Sequence, residues 1–160
     1  LGDPTLRNVV VVGNSGFNGG GLANVIGNTE VTNAVFFGNQ AMTGYGGAIH
    51  NTGSSPTFTN ITVHGNDASR DGGGLYNSAG DPELTNSILW GNANGDIVNL
   101  NTSPVISHSL VQGSGGSASW NPATGTDGGG NLDADPLFVD PGAGNLRLNT
   151  GSPAIDAGDN

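Results

Sequence analysis

"TNSILWGN" (85–92) is an apolar run that ends on a large aromatic, Trp90, and stops at Gly91-Asn92. The phrase recurs in altered form as "RNVVVVGN" (7–14), "TNAVFFGN" (32–39) and "TNITVHGN" (59–66). Its Gly marks positions 13, 38, 65, 91 and, more weakly, 113, at spacings of 25, 27, 26 and 22 residues. A second phrase follows each of the first four: "GGGLAN" (19–24), "GGAIHN" (46–51), "GGGLYN" (72–77) and the degraded "NGDIVN" (94–99). The final Asn of that second phrase recurs after 27, 26 and 22 residues. Two landmarks that keep one period establish a repeat chain.

Within a unit the segments are short, β-branched and bounded by Gly, Asn and Pro, which predicts strands and turns. No helical period persists anywhere. A unit of this length with two or three short strands matches one coil of a parallel β-helix. A leucine-rich repeat would need a spaced leucine consensus that is missing, and a propeller blade needs roughly 40–50 residues. Coils stack at about 4.8 Å, so equivalent positions become columns. Leu6, Val31, Phe58, Leu84 and Ile106 form one inward apolar column. Val11, Phe36, Val63, Leu89 and Val111 form a second, and Leu22, Ile49, Leu75 and Ile97 a third.

Asparagine fills three further columns: Asn8, Asn33, Asn60 and Asn86, continued by His108; Asn14, Asn39, Asn66 and Asn92; and Asn24, Asn51, Asn77 and Asn99. An amide both donates and accepts, so such a column can bond from coil to coil. Asn also tolerates the left-handed backbone that tight corners demand. The three columns are therefore expected to be structural ladders at three corners.

The chain has 160 residues, enough for one domain with a real core. It contains 30 Gly and no Cys or Lys, and its only basic side chains besides His are Arg7, Arg70 and Arg147. A formal charge of −10 argues against nucleic acid as a partner and against an anionic membrane surface. No apolar run approaches the roughly 18–20 residues that span a bilayer, so no membrane insertion is expected. Leu1 opens in mid-pattern without Met, which reads as a mature or excised piece of something longer.

"GGAIHN", "GGGLYN" and "TNSILWGN", with the closing "DADPLFVDPGAGNLRLNTGSPAIDAGDN" (133–160), resemble bacterial secreted right-handed parallel β-helix proteins of the pectin-lyase-like superfamily. More narrowly, they are similar to large surface proteins with polymorphic-outer-membrane-type repeats and a C-terminal anchor or sorting region. The resemblance covers nearly the whole chain. It implies right-handedness and an extracellular or cell-surface location, and it says little about activity, because this architecture hosts lyases, hydrolases, adhesins and stalks. The expected fold is thus all-β: a single-domain right-handed parallel β-helix of about five coils over 1–112 with a C-terminal cap.

Residues 113–132 break the period with a Gly/Ser-rich stretch, read as a protruding loop. Trp120 at its tip either anchors back onto the protein or stacks on a sugar. Residues 133–160 lack the Gly-Asn signature and are read as the cap. Asp133, Asp135 and Asp140 cluster there as weak candidates for a structural Ca²⁺, without the residue order of a calcium loop. No other cofactor is implied.

Catalytic constellations are poorly supported. Carboxylate substrates need cations or Ca²⁺ beside an acid or base, yet the three Arg fall in different units. Arg70-Asp71 reads as a solvated turn pair. Glu30 and Glu83 share a column with Thr57 between them, about 9.6 Å apart along the stack. That is near the upper limit for an inverting glycosidase pair, roughly 6.5–9.5 Å. His50, His64 and His108 do not converge. The chain is therefore expected to be non-enzymatic.

If Val11, Phe36, Val63 and Leu89 point inward, strand alternation turns Val12, Phe37, His64 and Trp90 outward. Val10, Val35, Thr62 and Ile88 also face out, which leaves Val12, Phe37, His64, Trp90, Val35 and Ile88 as an apolar interaction stripe. Such a stripe is either a partner surface or is covered by the chain's own loop or tail. The expected role is a fibre, stalk or coat element, adhesin-like, that self-associates or binds another extracellular protein. Residues 1–6 look like an incomplete coil whose strand edges can pair. The alternative is a carbohydrate-binding module, or a non-catalytic part of a polysaccharide lyase or hydrolase, stacking sugars on Trp90, Trp120 or Tyr76.

Overall fold

In a computed structural model, which describes residues 2–159, the chain is a parallel β-solenoid. Leu1 and Asn160, the outermost residues of the expected repeat and cap, lie outside the described residues. Each turn runs along a long face, a short face and a third face. The long face stacks Thr5–Val12, Glu30–Phe37, Thr57–His64, then Glu83–Thr85 with Ile88–Trp90, then Val105–Ser107 with Leu110–Val111. The short face stacks Ser15–Gly16, Gln40–Ala41 and Asp67–Ala68, and the third face stacks Leu22–Val25, Ile49–Thr52, Leu75–Ser78 and Ile97–Leu100. The four-stranded third face counts four full turns, and the long face continues into a partial fifth.

Register follows the expected columns residue by residue. Leu6 faces Val31, Val31 faces Phe58, Phe58 faces Leu84 and Leu84 faces Ile106. The columns through Phe36 and through Ile49 pair in the same way. Phe36, Phe58, Ile61, Val63 and Leu89 are fully buried in the one core these columns make. Each such side chain contributes about 1.5–3 kcal/mol by leaving water.

The corners follow from backbone conformation. Asn8, Asn33, Asn60 and Asn86 bend the long face with φ between 53° and 55°, and His108 does so at 46°. Asn reaches this left-handed region at low cost because its short amide bonds locally. At the far end of the face, Gly13, Gly38, Gly65, Gly91 and Gly113 turn the chain with φ between 63° and 77°. That is why every first phrase carries Gly just before its final Asn. The doubled Gly of the second phrase has a different cause: a Cβ on Gly47 would lie 2.4 Å from the carbonyl oxygen of Asp67 in the next turn.

Two segments are placed differently from expectation. Residues 113–132 do not protrude. Thr126–Asp127 pairs with Val105–Ser107, and Leu132 bridges to Leu110, so the segment continues the winding. Trp120 packs against the core, and its indole N–H donates to Gly125 O at 2.8 Å. The short Gly and Ser side chains let this backbone lie close to the last turn. Closing the end falls to these residues, whereas 138–159 lies along the side of the stack. There Phe138–Asp140 and Asn145–Leu148 form an antiparallel hairpin around a 3₁₀ turn at Pro141–Ala143.

Candidate functional site

Strand alternation on the long face brings Val12, Phe37, His64 and Trp90 into one outward column. Val10, Val35, Thr62 and Ile88 run parallel to it. The ring of His64 lies flat over that of Phe37 at 6.1 Å, and its Nδ1–H donates to Trp90 O at 2.5 Å. The tail hairpin packs on this surface. Phe138 meets the His64 ring edge-on at 5.3 Å and is only 8% exposed. Gly144 faces the Phe37 ring so closely that a Cβ there would lie 2.9 Å from it.

Further along, the Asn86 amide grips the tail backbone: its Nδ2–H donates to Asp159 O, and its Oδ1 accepts from Asp159 N–H, both at 2.9 Å. Between this contact and the corner lies a cavity of about 190 Å³ lined by Asn60, Ile88, His108, Leu110 and Ala157, among others. Phe37, His64, Val35, Ile88 and Trp90 are half-buried. Val10 and Val12, on the first turn, are left 71% and 48% exposed.

The Asn columns form directional ladders. Asn14 N–H donates to Asn39 Oδ1, Asn39 N–H to Asn66 Oδ1, and Asn66 N–H to Asn92 Oδ1, at 2.8–3.1 Å. The side-chain amides repeat these bonds and also reach the carbonyls of Val11, Phe36 and Val63. Every bond from one Asn to the next points to the later turn, while the bonds to those backbone carbonyls reach the earlier one. The ladder ends on a carboxylate: Asn92 Nδ2–H donates to Asp96 Oδ1 at 2.5 Å. Asp96 is 8% exposed, and burial pushes its pKa up to about 6.

On the third face Asn24, Asn51, Asn77 and Asn99 donate in sequence at 2.7–2.9 Å, and Asn99 finishes on the carbonyls of Ala123 and Thr124. Asn33 and Asn60 also donate backwards along the first column, to Asn8 and Asn33.

Two ladders escaped the sequence reading because their members differ in type. In one, Asp3, Asn28, Ser55 and Asp81 each accept from the backbone N–H of the next turn. In the other, Ser87, Ser109 and Asn131 accept from the N–H groups of Ile61, Ser87 and Ser109. The second also ends on an acid, with Asn131 Nδ2–H donating to Asp127 at 2.8 Å. Bonds from Gly129 N–H, Ser117 and Asn131 hold the Asp127 carboxyl below its usual range.

The remaining candidates are scattered. Tyr76 is buried beneath Tyr45, with rings 4.4 Å apart, and lies parallel to His50 at 5.6 Å. Arg70 donates to Tyr45 Oη at 3.1 Å, which fixes it at the rim of this stack. Burial lowers the His50 pKa, and its Nδ1 has no partner among the described residues. Asp133 accepts from Gly113 and Gly115 N–H, Asp135 from Leu137 N–H and Asp140 from Ala143 N–H. Each of these carboxylates thus holds a turn. Among the described residues no three His, Asp or Glu side chains gather at metal-binding distance. Glu30 bonds Arg7 at 2.6 Å rather than facing Glu83. Among the described residues no helix is long and apolar enough to cross a membrane. No protein-family model, curated protein or solved structure matches the chain.

Proposed function

We propose that this chain is a non-enzymatic structural and interaction element of a secreted or cell-surface bacterial protein, a rod segment of a fibre, stalk or coat that associates end to end. The observation that carries the reading is the unequal chemistry of the two ends of the stack. At the late end two ladders run into Asp96 and Asp127, and Trp120 lies against the core. At the early end the outer edge of Thr5–Val12 has no partner strand among the described residues. Asn14 Oδ1 accepts no hydrogen bond among them, although its counterparts Asn39, Asn66 and Asn92 all do. Leu6, Val9, Val11 and Leu22 pack on the core while still partly exposed. A further β-solenoid turn would meet all three needs at once: strand edges, amide acceptor and apolar surface.

Val10 and Val12 extend the same apolar surface onto the side of the first turn. The likeness of the repeat phrases to secreted pectin-lyase-like surface proteins supports an extracellular setting. Sedimentation of the 160-residue chain, with negative-stain microscopy at high concentration, tests the reading. The expected result is concentration-dependent association that Val11→Lys abolishes. A monomer at every concentration would overturn it. Binding to a glycan array that Trp90→Ala removes would favour a carbohydrate-binding module instead.

A further inference from the structure

Asp96 stands at a position that is Gly21, Ala48 and Gly74 in the earlier turns, so a carboxyl group occupies a place otherwise kept for the smallest side chains. The reason lies in the neighbouring ladder. After Asn92 the sequence supplies no further Asn in that column; Gly113 is followed by Ser114, whose hydroxyl bonds back to Val111 O. Asp96 Oδ1 instead accepts from both the backbone N–H and the side-chain amide of Asn92, as the Oδ1 of each Asn does one turn earlier. A neutral carboxylic acid keeps the accepting oxygen of that amide without bringing a charge into the site. The ionised form only accepts, and it leaves a charge in a nearly dry site.

Two charged groups reach Asp96 from the packed elements around it. Burial opposes the ionised form most and Asp133, just after the closing segment, adds to it, whereas the two bonds from Asn92 and, less, His64 on the long face favour it. Asp133 itself is held in place by Gly113 and Gly115 N–H.

We propose that Asp96 is a proton-operated terminator: its carboxyl closes the amide ladder in a buried site that disfavours charge, so the closed end of the solenoid tightens in mildly acidic surroundings and loosens when the carboxyl ionises. The sign is opposite to the usual acid lability. A carboxyl that holds its proton more tightly when folded contributes stability that is fully present below its unfolded value. That stability is lost as pH rises through the folded value of about 6.

Other groups pull the other way. Acid charges His50, which the fold keeps neutral, and deeper acid protonates Asp81 and Asp127, whose folded values are depressed. The test must therefore compare two proteins at each pH. Asp96→Asn keeps the shape and the accepting oxygen but removes the titration. From pH 4.5 to 7.5 the unfolding constant of the native chain, relative to this variant, is expected to rise on the order of 10- to 100-fold. A ratio that stays constant, or falls, overturns the proposal. A carbon-13 NMR titration of the aspartate carboxyls in the native chain gives an independent reading even if the variant folds poorly. A midpoint for Asp96 near 6 supports the proposal, and one at the ordinary value of about 4 sinks it.

Discussion

Replacing Asn66 by Ala is expected to be among the most costly single changes in the protein. Asn66 is 1% exposed and sits in the middle of a ladder. Its Oδ1 is the acceptor for Asn39 N–H, and it also accepts from the Asn39 side chain. Its Nδ2 donates to Asn92 Oδ1 and to the carbonyls of Phe36 and His64. Truncation leaves the Asn39 N–H buried and unpaired, at a cost of about 2 kcal/mol, and removes four further bonds worth about 0.5–1 kcal/mol each. The sum is about 5 kcal/mol, a large share of the 5–15 kcal/mol typical of a folded domain.

The comparison that isolates the cause is Asn60→Ala. Asn60 is exposed and makes one side-chain bond, to Asn33, so about 1–2 kcal/mol is expected, mostly from forcing Ala into a left-handed corner. Asn60→Gly should recover most of that loss, whereas Asn66→Gly should recover none. Guanidinium unfolding followed by circular dichroism measures all four variants. If Asn66→Ala costs no more than Asn60→Ala, the buried ladder is not what holds the turns together.

Two further changes probe the tail and the aromatic stack. Gly144→Ala must fit a methyl 2.9 Å from the Phe37 ring at a φ of 76°, so the hairpin should lift from the stripe. Limited proteolysis should then cut within 138–159 faster and a hydrophobic dye should bind, with about 1–2 kcal/mol lost; unchanged cleavage would contradict the packing described. His50→Phe replaces an unpartnered buried nitrogen with carbon while keeping a ring against Tyr76, which should stabilise by about 1–2 kcal/mol. Because the fold lowers the His50 pKa, its stability contribution is present above the ordinary histidine value and lost as pH falls through the window below it. The Phe variant should lose that acid-side decline in thermal melts between pH 7 and 5.

The winding was legible because parallel in-register stacking makes turn-to-turn equivalence a matter of counting. Leu6, Val31 and Phe58 differ in size but share one requirement, so a column of apolar residues shows through substitution. Roles shared by unlike residues did not show. Asp3, Asn28, Ser55 and Asp81 all accept from an N–H of the next turn, but only the oxygen is common to them. "NGDIVN" looked like decay of the second phrase, whereas its Asp is the ladder's final acceptor. The tail was the least readable part. Its contacts to Phe37, His64 and Asn86 join residues 73 to about 107 positions apart, and nothing periodic in 133–160 announces them. The Gly/Ser stretch misled for a related reason: the small residues that make a free loop also let a backbone lie flat on a closed end.

Because each ladder bond joins one turn only to the next, the internal turns are interchangeable as pieces of gene. An in-frame duplication of residues 39–65 would bring its own Asn39, its own corner Asn60 and its own Gly65. The inserted rung would accept from the turn before it and donate to the turn after it, while the acids at the end stayed as they are. Length in such a protein is therefore open to change by unequal recombination, in steps of one turn, without any residue having to be redesigned. Selection could tune reach while leaving the terminus untouched.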